Sequence, residues 1–77
     1  MSVYEYITKA YGEDQGKYGA VARELLSLAE HDESVKSIDT FYDFVTVIEK
    51  VHNPVALEAM TESFFCECCT ACGIPIT

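Results

Sequence analysis

The sequence predicts an all-α protein: a compact single domain of about four short helices, orthogonal or bundle-like, spanning residues 1–77. Three observations predict it. Apolar residues recur at i, i+3, i+4 and i+7 in four separate segments. Three of those segments open on a residue suited to cap a helix. Apolar residues also make up 49% of the chain, with five Tyr and four Phe, which is too rich a composition for intrinsic disorder.

The first segment runs from about Val3 to Tyr11. Ser2 stands at the N-cap position and Glu5 follows three residues later, the spacing of a capping box. Val3, Ile7, Ala10 and Tyr11 form its apolar stripe, and Gly12 ends it. After the loop "GEDQG", the second segment extends from Lys17 to about His31. Tyr18, Val21, Ala22, Leu25, Leu28 and Ala29 follow the helical period, with Lys17, Arg23, Glu24, Ser27 and Glu30 on the other side. The stretch "EHDESVKS" is polar and reads as a turn.

The third segment, "DTFYDFVTVIEKV", places Phe41, Phe44, Val45, Ile48 and Val51 on one face, with Asp39 or Ser37 as its cap. Val45, Thr46, Val47 and Ile48 favour strands by propensity. Helix prevails because no second strand pattern exists for them to pair with. "HNP" then starts the fourth segment, with Asn53 as cap and Pro54 at the first helical position. That helix is expected to continue unbroken into the cysteine cluster and to end by Gly73, with Pro75 beyond.

Thirteen acidic residues against five basic ones give a net charge of −8. Such a field repels phosphate backbones and anionic lipid, so neither nucleic acid nor a membrane surface is an expected direct partner. A protein partner with a basic surface is. No apolar run approaches the roughly 18 residues of a membrane span. The opening "MSVYEYITKAYGED" has no cationic region followed by an apolar run, so a secretory signal is not expected. Four cysteines crowded into "CECCTAC" cannot staple distant segments together. The expected compartment is a reducing cytoplasm.

That cluster invites three readings. At about 100° per residue on an unbroken helix, Cys68 and Cys72 continue the face of Leu57 and Phe64. Cys66 and Cys69 then fall on the side of Glu58 and Glu62. The first reading is a helix end, with two cysteines as small core hydrophobes and two peripheral thiols. The second is a metal site using Cys66, Cys69 and Cys72. A tetrahedral zinc needs sulfurs converging at about 2.3 Å, which one rigid helix does not deliver. The third is redox chemistry at Cys69 and Cys72, but their place at a helix C-terminus raises thiol pKa rather than lowering it. No cofactor is expected, because no glycine-rich phosphate loop is present.

No catalytic constellation emerges either. His31, among Glu30, Asp32 and Glu33, fits a solvated helix end better than a general base. Tyr4, Tyr6, Tyr11, Tyr18 and Tyr42 cannot all be interior with their hydroxyls satisfied, and Tyr6 and Tyr42 lie off the assigned stripes. They join Glu30, Asp32, Glu33, Asp39, Asp43, Glu58 and Glu62 as the candidate partner-binding residues. Carboxylates spread over a rigid scaffold also resemble a phosphate backbone in pattern, so mimicry of nucleic acid is a related reading. Phe65 and Cys69, if exposed, would support a homo-oligomer.

"SVYEYI", "AVARELLSLAEHDESV" and "DTFYDFVTVIEKV" resemble the YozE-like family of small bacterial and phage proteins. Tyr4, Tyr6, Ile7, Ala22, Asp32, Asp39, Phe44, Ile48, Glu49 and Phe64 stand at matching places. The Phe-Pro that the family carries after its second helix is replaced here by "DESVKS", and the cysteine-rich ending is a second departure. The resemblance implies a sterile-alpha-motif-like helical fold and transfers no catalytic residue. The family's occurrence in phage genomes implies a host-directed binding protein. The expected function is therefore a non-enzymatic interaction module, a small acidic inhibitor or adaptor. A metal- or redox-responsive protein is the alternative.

Overall fold

The computed structural model describes residues 2–74. Pro75, the expected stop beyond the last helix, lies outside them. The described residues are all-α: α1 (Val3–Tyr11), α2 (Lys17–Ala29), a 3-10 helix (Glu33–Ser37), α3 (Phe41–Ile48), α4 (Pro54–Ala59) and α5 (Glu62–Cys72).

The hydroxyl of Ser2 accepts the Glu5 N–H at 3.2 Å, which starts α1 where a free backbone donor would otherwise be unsatisfied. Val3 and Ile7 are fully buried and Tyr11 half-buried. Ala10, expected on that stripe, is exposed. The inward arc centres on Val3, Ile7 and Tyr11, and a methyl group on its rim is too short to reach the core. The loop after α1 closes onto α2 through Asp14, whose carboxylate accepts the N–H groups of Gly16 and Gly19 at 3.3 and 3.2 Å. It thereby serves a helix whose own N-cap residue, Gly16, has no side chain. At Gly19 a Cβ would lie 1.9 Å from the Asp14 carbonyl oxygen, so only glycine fits there.

α2 buries the expected face through Val21, Ala22, Leu25 and Ala29. It ends at Ala29 rather than His31. The following stretch is no polar turn. Asp32 caps a 3-10 helix by accepting the Ser34 N–H at 3.0 Å, and Val35 and Ile38 are wholly buried. Each fully buried aliphatic side chain contributes about 1.5–3 kcal/mol, so this segment is part of the core rather than a connection across it.

Thr40, rather than Asp39 or Ser37, caps α3; its hydroxyl accepts the Asp43 N–H at 3.1 Å. Ser37 is still inside the 3-10 helix, and Thr40 is the last extended residue before Phe41. Within the β-branched run, Thr46 donates back to the Tyr42 carbonyl at 3.1 Å and Val47 packs inward. Phe44 and Val47 carry the buried face of α3. Phe41, Val45 and Ile48 are only partly covered.

The fourth segment is two helices, not one. Asn53 caps α4 through the Val55 N–H, as its sequence signals. Met60 then leaves helical geometry at φ −81° and ψ 73°, and Thr61 caps a new helix by accepting the Phe64 N–H at 3.1 Å. The turn buries Met60 and points both Phe64 and Phe65 inward. Leu57, expected on a continuous buried face, is 37% exposed as a result. Gly73 closes α5 in the left-handed region at φ 74°, letting the Ile74 N–H reach the Cys69 carbonyl at 2.9 Å.

α2 packs against α1 and α4, α1 also against α5, and α3 against α5; the 3-10 helix fills the angle between α1 and α2. One contiguous core joins these elements. Two aromatic contacts lock α5 in place: Tyr18 stacks on Phe64 at 4.7 Å, and Phe44 meets Phe65 at 5.0 Å. Such pairs add about 0.5–1.5 kcal/mol beyond the area they bury.

Candidate docking groove and the cysteine helix

Asp43, Thr46, Val47 and Lys50 follow one another at i, i+3, i+4 and i+7, so α3 and the turn after it present them on one side. The 3-10 helix lies opposite with Ser34 and Ser37. Between the two walls runs an open groove of about 350 Å³, with Tyr42 at its rim. Tyr42 is 80% exposed, the most exposed of the large apolar side chains among the described residues.

An ion pair joins the two walls of the groove. The Lys50 ammonium lies 2.5 Å from the Asp32 carboxylate. Lys50 beside it, together with hydrogen bonds from the Ser34 hydroxyl and amide, holds the Asp32 carboxyl down at about 2. Asp32 therefore stays ionised and neutralises Lys50 at physiological pH. Glu33 is likewise paired, with Lys36 at 3.7 Å. Asp43 has no ion-pair partner among the described residues. It is the one charge in the groove left without a counter-charge.

Of the partner-binding residues expected from sequence, Tyr42 and Asp43 line this groove, and Asp32 and Glu33 flank it on the 3-10 side. Asp39 is exposed just before α3. Glu30, Glu58 and Glu62 are exposed on or beside α2, α4 and α5 and take no part in the groove. Tyr6 is half-buried, edge-on to Tyr11 at 6.2 Å, and packs against the core. Ser34, Ser37, Thr46 and Lys50 line the groove without being singled out by the sequence. The i, i+3, i+7 spacing of Asp43, Thr46 and Lys50 does mark a polar helix face. What covers that face is invisible when "EHDESVKS" reads as a turn.

All four thiols of α5 are free. Because α5 starts afresh at Thr61, its inward arc is set by Phe64 and Phe65. At about 100° per residue Cys68 falls between them and Cys69 roughly 40° beyond Phe65, at the edge of that arc, and both are 1% exposed. Cys69, expected outside, is therefore a core residue. Cys66 points away and is partly exposed. Cys72 keeps the inward side but ends the helix half-covered, its thiol donating to the Ser2 carbonyl at 3.6 Å. Burial pushes the Cys68 thiol up to about 12 and raises those of Cys69 and Cys72 as well. Raised thiol pKa values oppose both nucleophilic attack and thiolate ligation. Among the described residues no three His, Cys, Asp or Glu side chains come together as a metal site would require. Phe65, expected to support self-association if exposed, is 4% exposed.

No helix among the described residues is long and apolar enough to cross a membrane. No family model, curated protein or solved structure matches the chain. The resemblance to the YozE-like family accordingly rests on the three sequence segments that carry it.

Proposed function

We propose that this protein is a non-enzymatic interaction module that docks on a protein partner with a basic surface, as a small inhibitor or adaptor. The observation that carries this reading is Tyr42 standing almost free at the rim of a groove whose one unneutralised charge is the Asp43 carboxylate. An exposed tyrosine costs little entropy to immobilise and gives a large amphipathic contact, so it is an efficient anchor at an interface. The net charge of −8 would speed encounter with a cationic partner and discourage anionic ones.

A metal- or redox-responsive role for Cys66, Cys69 and Cys72 has less support, because Cys69 is used up in packing. Four free thiols in one helix suit a reducing compartment, and the cytoplasm is the location proposed here.

The test is affinity capture from a cytosolic extract with wild-type protein and with a Tyr42→Ser, Asp43→Asn double variant. A basic protein retained by wild type at low salt, released as salt rises and not retained by the variant supports docking at this face. Absence of any retained protein at low salt contradicts the reading. So does retention that ignores both salt and the variant.

A further inference from the structure

We infer that the groove between the 3-10 helix and α3 seats one arginine side chain of the partner, its guanidinium meeting the Asp43 carboxylate and the Tyr42 ring while its stem lies on Val47. This deepens the docking reading and rests on it. The occupant follows from charge, surface and size together. The lining contains two ionic side chains, Asp43 and Lys50. Lys50 is committed to Asp32 at 2.5 Å, so an incoming cation meets a neutral pair at Lys50 and an open carboxylate at Asp43. An anionic group entering the same space would face Asp43 without a free cation to offset it.

The rest of the lining fits the chemistry of guanidinium. Tyr42 offers an exposed ring in the same lining as the Asp43 carboxylate, and a planar delocalised cation both stacks on such a ring and forks onto two carboxylate oxygens. A lysine ammonium does the second only as a point charge. Ser34 and Ser37 supply hydroxyl acceptors on the facing wall, and Val47 gives the methylene stem an apolar floor. At about 350 Å³ the open space takes an arginine side chain with room for water beside it and is too small for a folded element.

The test is an amide NMR titration of the whole protein with a blocked glycine–arginine–glycine peptide. Its citrulline counterpart has the same shape without the charge. The arginine peptide is expected to shift the amides of Ser34, Asp43, Thr46 and Val47 along one saturating curve. Citrulline, and separately Asp43→Asn, should weaken binding about tenfold or more, and Tyr42→Ala several-fold. Tyr42 is too exposed for its removal to endanger the fold. Unsaturating shifts scattered over all carboxylates, or equal binding by Asp43→Asn, overturn the inference. Capture of a basic partner equally by wild type and Asp43→Asn overturns the arginine seat but leaves docking itself standing. Failure of all capture removes docking, while the peptide titration still decides whether the groove selects arginine.

Discussion

The Lys50 ammonium reaches back eighteen residues to the Asp32 carboxylate, at 2.5 Å. Asp32 is also the N-cap of the 3-10 helix, where it accepts the Ser34 amide at 3.0 Å and hydroxyl at 2.6 Å. A single carboxylate thus fixes the start of one groove wall and fastens it to the end of the other. The groove walls are joined by the Asp32–Lys50 pair and carry no such tie at Tyr42 and Asp43.

This tie gives stability a defined acid limb. The Asp32 carboxyl sits at about 2 in the folded protein against 3.8 ordinarily. A depressed carboxyl pKa stabilises fully above the ordinary value and loses that contribution as pH falls through it towards about 2. Asn is as good a cap as Asp but carries no charge. Thermal melts across that acid range should therefore show a shallower decline in Asp32→Asn than in wild type. Parallel curves for the two proteins would show that the tie contributes nothing to stability.

The break between α4 and α5 rests on the Thr61 hydroxyl. Thr61→Ala leaves the Phe64 amide without its cap and is expected to cost about 1 kcal/mol, read from urea denaturation. A variant as stable as wild type, with unchanged helix content, would show that the hydroxyl does not set the break.

Val35 offers a sharper contrast because its neighbours point the other way. It is wholly buried, whereas Ser34 and Lys36 are exposed. Val35→Ala should cost about 2 kcal/mol from lost transfer energy plus the cavity left behind. Lys36→Ala should stay within about 0.5 kcal/mol. Equal effects would mean that the 3-10 helix is peripheral.

These residues also mark where the sequence is legible and where it is not. The faces of α1 and α2 follow the 3.6 period closely enough that Val3, Ile7, Val21 and Leu25 are readable as core from periodicity alone. Val35 and Ile38 are not, because two isolated apolar residues in a polar stretch carry no period, and a 3-10 helix has too few turns to establish one. The break at Met60 hides because neither Gly nor Pro marks it. Its trace is the cap-like run Thr61, Glu62, Ser63 in mid-segment. Missing it anchors the inward face on Leu57 and Phe64, whereas α5 also turns Phe65 inward and Leu57 is exposed, which is why periodicity puts Cys69 on the outer side. The groove suffers likewise: its α3 wall is readable, and its facing wall depends on the 3-10 helix.

Thiol chemistry separates the cysteines into two pairs. Ellman's reagent should modify Cys66 and Cys72 in the native protein and reach Cys68 and Cys69 only on unfolding. A raised pKa favours the protonated folded form, so stability should hold below the ordinary thiol value of 9.0 and fall as pH rises towards about 12, where Cys68 ionises in place. Tyr11, also raised to about 12 by burial, adds to the same alkaline limb. Four thiols reacting at one rate in native protein would contradict this division, and a protective effect of added zinc would favour the metal reading over packing.

The central claim is that binding happens at the 3-10 helix and α3, and hydrogen–deuterium exchange of the captured complex measures it most directly. Slower exchange in residues 33–50 upon partner binding, with α1 and α5 unchanged, is the predicted footprint. Protection confined to α1 or to the cysteine-bearing α5, with residues 33–50 exchanging as in the free protein, would contradict it.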